Sequence, residues 1–190
     1  TAIGGDAALA YVGALYHDIG KMRKPEYFVE NQSGANPHDE LRPNISYLII
    51  VGHVKDGLEM AAASGLPKSL REFISSHHGT QVVRWFYVKA RDAASEDEEV
   101  EESSFRYPGP RPRSKEAAVL MLADACESAS RAAAELPSGK IESIVRDLSK
   151  ERLLDGQFDE CNLTLRELHD IEDAIICLLY TSDAADEHGC

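Results

Sequence analysis

Apolar residues recur along this chain at intervals of three and four and hardly ever alternate, so its elements are helices rather than strands. The first run, residues 6–18, carries Leu9, Val12, Leu15 and Tyr16 with Ile19 beyond, and Gly20 supplies a stop. Residues 44–63 form a second helix, closed by Gly65. Residues 67–78 form a third, opened by proline and closed by Gly79, with Leu70, Phe73, Ile74 and His77 on one stripe. Residues 114–135 and 139–155 give two more. Thr164 and Glu167 then make a T-x-x-E capping box for a last helix running toward Leu179. Residues 25–43 and 103–113, rich in glycine, asparagine or proline, read as loops. Residues 80–90 begin apolar and β-branched, and periodicity leaves their state open. The expected class is all-α, in a length that suits one domain. No internal repeat is found.

Charge narrows the partners. The formal net charge is −13, which disfavours binding to bulk nucleic acid. That acidity is local, however. Seven acids lie between Asp92 and Glu102, and three more are Asp183, Asp186 and Glu187, so the remainder carries only −3. The acidic stretch 91–104 is expected to be a mobile surface excursion. A small dianionic ligand therefore stays compatible with the chain.

Cys126, Cys161, Cys177 and Cys190 form no CxxC pair, which excludes a zinc ribbon and a disulfide framework and favours a reducing compartment. The longest apolar stretches, 47–51 and 174–180, fall far short of the ~20 residues of a spanning helix. No signal peptide is read at the start. CLLYTSDAADE, residues 177–187, reads as a translated sequencing-library adapter, so 177–190 is set apart as an adapter-derived or disordered tail and 1–176 as the domain.

The chemistry concentrates in histidines and aspartates. His17 and Asp18 are adjacent in YHDIGK, His53 lies in GHVKDG, His77 and His78 in SSHHGT, and Asp124 in MLADAC. Imidazoles and carboxylates from several helices suit a divalent transition metal, or two sharing a carboxylate. Ala117, Leu120, Met121 and Asp124 recur at i, i+3, i+4 and i+7, placing an acid on an apolar stripe. An ionised carboxylate there costs several kcal/mol unless it is paired or metal-bound, and a salt bridge to an arginine is the alternative. His53 shares a face with Ile49 and Met60, as a ligand or as a hydrogen-bonded core residue. Adjacent His77 and His78 point about 100° apart on a helix and serve one site only where that helix ends, as Gly79 suggests. His38 in NPHD either lines a pocket or caps a loop, and His169 is read as exposed.

The order HD, H, HH, D, with ENQ, NPHD, FRYPGP, SKEAA, LADACESA, DGQF and LTLREL, resembles the HD-domain phosphohydrolases. It is most similar to the cytoplasmic HD domain of the seven-transmembrane receptors with intracellular HD hydrolase, a group known for degrading cyclic di-AMP. The resemblance covers roughly residues 13–168. It implies an all-α HD-domain bundle with two divalent ions, iron or manganese. Asp18 would bridge them, with His17 and Asp124 on the first ion and His53, His77 and His78 on the second. Lys21 would face a substrate phosphate, against the alternative of an exposed lysine at a helix C-terminus. Arg106 and Tyr107 would offer a cation and a stacking ring, or simply pin a loop to the bundle.

By the same resemblance, His17, Asp18 and Lys21 are the catalytic group. A hydroxide bridging the ions would cleave cyclic di-AMP to linear pApA. The alternatives are a nucleotidase acting on mononucleotides or (p)ppGpp, and a catalytically silent helical sensor module. The family's first metal histidine lies on a helix upstream of the HD pair, and no histidine precedes His17 here. The expectation is a domain truncated at its first helix, with three protein ligands on the first ion and impaired metal binding. The parent would be a membrane-anchored protein with this part cytoplasmic.

Overall fold

A computed structural model describes residues 3–32, 34–95, 98–132 and 140–187. Among them are seven α-helices: α1 (Ala7–Tyr16), α2 (Pro43–Ala63), α3 (Lys68–Ser76), α4 (Arg84–Ala93), α5 (Lys115–Ala132), α6 (Lys140–Leu154) and α7 (Leu165–Glu187). Short 3-10 turns fill the connections, and extended pairing among the described residues is limited to an isolated bridge between Val82 and Arg106. The all-α expectation holds. No described helix is long and apolar enough to cross a membrane.

The chain divides into two compact units, and the boundary falls inside α1. The unit of residues 12–110 is organised around α2. The 3-10 turn Ile19–Arg23, α3 and α4 all pack on that helix. Phe73 and Ile74 from α3, Val54 and Ala61 from α2, and Phe86 from α4 are buried. The turn sits on α2 closely enough that a Cβ on Gly20 would lie 1.9 Å from the His53 carbonyl oxygen. Gly20 has no left-handed φ, so here glycine is required by space rather than by conformation. Gly13 meets Phe73 in the same way: a Cβ there would fall 2.5 Å from the ring.

The second unit, residues 1–11 and 111–190, buries Met121, Leu122 and Cys126 of α5 against Ile141 and Val145 of α6 and Leu168, Ile171 and Ile175 of α7. Two of its helix starts are capped by side chains. Asp6 Oδ1 accepts the Ala8 and Leu9 N–H groups at 2.9 and 3.0 Å, capping α1. The T-x-x-E box closes reciprocally, Glu167 N–H to Thr164 Oγ1 at 3.2 Å and Thr164 N–H to Glu167 Oε2 at 2.9 Å.

Three stretches take their form from the structure. The ambiguous segment 80–90 resolves into a turn followed by α4, because Phe86 faces the core while Arg84, Trp85 and Arg91 stay exposed. Within the acidic stretch 91–104, α4 reaches Ala93, and the turn Glu102–Phe105 buries Phe105. Residues 96–97 of that stretch lie outside the described residues. The last helix continues past Leu179 to Glu187. Residues 188–190 of the tail, and 133–139 at the expected junction of α5 and α6, also lie outside the described residues.

Candidate metal centre

Five of the six expected ligands meet inside the unit of residues 12–110. His17 and Asp18 follow the last turn of α1, His53 projects from the middle of α2, and His77 and His78 stand where α3 ends. The α3 terminus works as its sequence suggests. His77 is the C-cap, still right-handed helical, and Gly79 at φ +51° turns the chain, so two consecutive rings reach one place. Their centroids are 4.0 Å apart.

Three of these histidines are oriented by backbone carbonyls of the helix that carries or precedes them. Nδ1 faces a backbone carbonyl three residues back: Ala14 O at 2.7 Å for His17, Ile50 O at 2.6 Å for His53, Ile74 O at 3.0 Å for His77. An Nδ1–H donated there leaves Nε2 as a lone pair, the arrangement that fixes the tautomer of metal-ligating histidine. His53 Nε2 and His77 Nε2 stand 3.1 Å apart, and both lie 3.3–3.4 Å from Asp18 Oδ1. Ligand atoms of Asp18, His53, His77 and His78 all fall within 4.8 Å of one another. Ligand atoms converging in this way could hold a metal ion, and the donor set suits a divalent one.

The protonation states agree. Burial, joined by the charge of His77, pushes His53 down to about 4, and burial likewise drives His78 well below the usual imidazole range. Both rings are therefore neutral at physiological pH. Burial would raise the Asp18 carboxyl, but its contacts with His17 and His77 and the charge of Lys21 outweigh it. They hold Asp18 well below the usual carboxylate range.

Asp18 divides its two oxygens. Oδ1 faces His53 and His77, whereas Oδ2 faces His17 Nε2 at 3.3 Å and Lys21 Nζ at 2.6 Å. Lys21 also contacts Glu30 Oε1 at 2.5 Å and lies 5.3 Å from the centroid of the buried Phe28 ring. Burial works against its charge, but Asp18 and Glu30 outweigh it and raise the ammonium above its ordinary value. Glu30 belongs to the ENQ string, but its contact with Lys21, nine positions earlier, leaves no signal in the sequence. Gly20 was read only as a helix stop; its neighbour through space, the His53 carbonyl, is invisible in the sequence.

Tyr107 stacks on His78, with ring centroids 4.2 Å apart and planes 26° apart. The Val82–Arg106 bridge holds it there, with Tyr107 N–H donating to Gln81 O and Val83 N–H to Phe105 O, each at 2.8 Å. Arg106 donates to Thr80 O at 2.9 Å and to Glu102 at 2.7 Å. His38 is buried between Tyr27 and Phe86 with Nε2 3.0 Å from Tyr27 O, and so ties together two turns of the 25–40 loop. His169 is exposed, as expected. Asp124 stands half-buried on α5 in the other unit, beside the buried Leu120 and Met121 of its stripe.

The HD-domain family model matches residues 2–129. The cyclic-di-AMP phosphodiesterase PgpH of Bacillus subtilis is 43% identical over 179 residues, covering 94% of this chain and 25% of that protein. The crystal structure of the L. monocytogenes phosphodiesterase PgpH HD domain superposes with a TM-score of 0.88 at 41% identity. It covers 95% of this chain and 84% of the other. The same domain in complex with cyclic-di-AMP gives a TM-score of 0.89 at 41% identity, with coverages of 94% and 82%. The chain spans about a quarter of the length of the curated relatives it matches. An ordered HD, H, HH series folded onto one cluster, within the matched residues, leads to one conclusion: this chain belongs to the HD-domain family.

Proposed function

We propose that this chain is the catalytic part of a metal-dependent phosphodiesterase that hydrolyses cyclic di-AMP to linear pApA. The observation that carries the reading is one carboxylate divided between two histidine groups, Oδ1 toward His53 and His77 and Oδ2 toward His17. An aspartate so placed can be shared by two divalent ions, and iron or manganese suits neutral imidazoles with carboxylates. Asp18, His53, His77 and His78 would hold one ion. His17, Asp18 and Asp124 are proposed for the other, Asp124 on the ground that it lies on an otherwise apolar stripe.

Such a pair, when bound, supplies Lewis-acid activation of water and neutralises charge developing at phosphorus. The chain's own residues do the remaining work. The helix carbonyls fix the imidazole tautomers, and Asp18 stays ionised. Lys21 brings a cation next to Asp18 for a substrate phosphate. Tyr107 supports the His78 ring, and Arg106 and Tyr107 would contribute a cation and a ring toward the substrate. The names of the matched relatives support the choice of substrate. We further propose that the parent protein is membrane-anchored, with this part on its cytoplasmic side.

The test is to incubate the manganese-loaded parent protein with cyclic di-AMP and to separate the products. Formation of pApA that Asp18→Ala abolishes is expected. Turnover that survives Asp18→Ala, or a preference for mononucleotides or (p)ppGpp across a substrate panel, would overturn the reading. Ions bound without hydrolysis of any phosphodiester would favour a sensor module instead.

A further inference from the structure

Lys21 presents a conflict of charge. Its ammonium sits 2.6 Å from Asp18 Oδ2, the same oxygen that faces His17 Nε2 at 3.3 Å. A divalent ion ligated by His17 and Asp18 needs that oxygen, so ion and ammonium compete for it. An ammonium displaced from a half-buried position beside a dication, with nothing to receive it, would be strongly disfavoured. The structure provides a receiver. Glu30 Oε1 lies 2.5 Å from the same nitrogen, and the Phe28 ring flanks the lysine.

From this geometry we propose that Glu30 is a positioning residue: it retains the Lys21 ammonium when an ion takes Asp18 Oδ2, and thereby sets the affinity of the ion held by His17. The inference rests on the metal-centre reading above and names a residue which that reading does not use. Glu30 would touch neither ion nor substrate. It acts through Lys21 alone, as a second carboxylate already in contact with the ammonium. Glu30 is exposed enough on its loop that a glutamine of the same shape leaves the packing of Phe28 and α2 unchanged.

The experiment titrates the chain with Mn2+ alone, following free Mn2+ by its paramagnetic resonance signal. The relevant binding step is the one that His17→Ala removes. Glu30→Gln should weaken that step about tenfold, since a charge-assisted contact to the displaced lysine is lost. Glu30→Asp should restore part of the loss. Lys21→Met should strengthen the step by removing the competing cation. In the Lys21→Met background, Glu30→Gln should shift it by no more than about threefold, because only the long-range charge change survives. A Glu30 effect of equal size in both backgrounds would overturn the proposal, as would unchanged affinity in Glu30→Gln. Absence of Mn2+ uptake by the unmodified chain would overturn the metal-centre reading, and this inference with it.

Discussion

Gly20→Ala should damage both the fold and the metal centre, although it adds one methyl group. The added Cβ would lie 1.9 Å from the His53 carbonyl oxygen and 2.5 Å from the Gly57 nitrogen, where ordinary contact begins at 3.4 Å. Both obstacles are backbone of α2, so no side-chain rotation relieves them. The 19–23 turn and α2 must separate by about 1.5 Å, with loss of close dispersion contacts on both sides. Overpacking of this kind costs up to about 3 kcal/mol, which for a chain of this size lowers Tm by roughly 6–12 °C. The functional loss should be larger. Asp18 and Lys21 flank Gly20 on the turn that moves, while His53 stays on the helix. A shift of that size pulls Asp18 Oδ1 out of register with His53 Nε2 and should weaken metal binding by more than tenfold.

Gly52 and Gly57 of the same helix serve as graded controls. A Cβ on Gly52 meets nothing within 4 Å, so Gly52→Ala should gain about 0.5–1 kcal/mol of helix propensity and raise Tm slightly. A Cβ on Gly57 would lie 2.9 Å from Ile74 Cγ2, a side-chain atom that can move, and 3.2 Å from the Gly20 nitrogen. Gly57→Ala should therefore fall between the two. Thermal unfolding and Mn2+ titration of the three variants provide the measurement. If Gly20→Ala matched Gly52→Ala in Tm and metal affinity, the inferred close approach of turn and helix would be wrong.

Three further outcomes are expected. Thr164→Ala removes the hydroxyl that caps the Glu167 N–H and should cost about 1 kcal/mol, read as a lower urea midpoint without change of slope. For pH, His53 is held neutral in the fold, lowered from 6.5 to about 4, so the metal-free chain should keep its full stability above about 6.5. It should lose stability as pH falls from there toward about 4, and bound Mn2+ should persist at pH 6 and be released only as pH approaches 4. Urea midpoints and metal analysis across that range would check both, and release already complete at pH 6 would contradict the burial of His53. Finally, burial raises the Cys126 thiol to about 12 while Cys177 is exposed, so a thiol reagent should label Cys177 in the native chain. Peptide mapping should find Cys126 labelled only after unfolding.

The sequence determined the helices, because their stripes, glycine stops and capping residues are local signals. Thr164 and Glu167 act in the structure as their spacing dictates. It also marked His17, Asp18, His53, His77 and His78, and even the reason two adjacent histidines can share a site, since Gly79 ends α3 beside them. What it left open was every relation through space. Whether 80–90 was strand or helix depended on Phe86 finding a core to face. Tyr107 and Arg106 admitted either a ligand or a loop-pinning role, and the bridge from Val82 to Arg106 places Tyr107 on the His78 ring and turns Arg106 toward Thr80 and Glu102. The division of the Asp18 oxygens, the grip of Glu30 on Lys21 and the contact of Gly20 with the His53 carbonyl were likewise decided only by packing. Periodicity and capping arise from neighbours along one helix, whereas a shared carboxylate or a steric limit arises between segments whose separation in the chain carries no record of their distance in the fold.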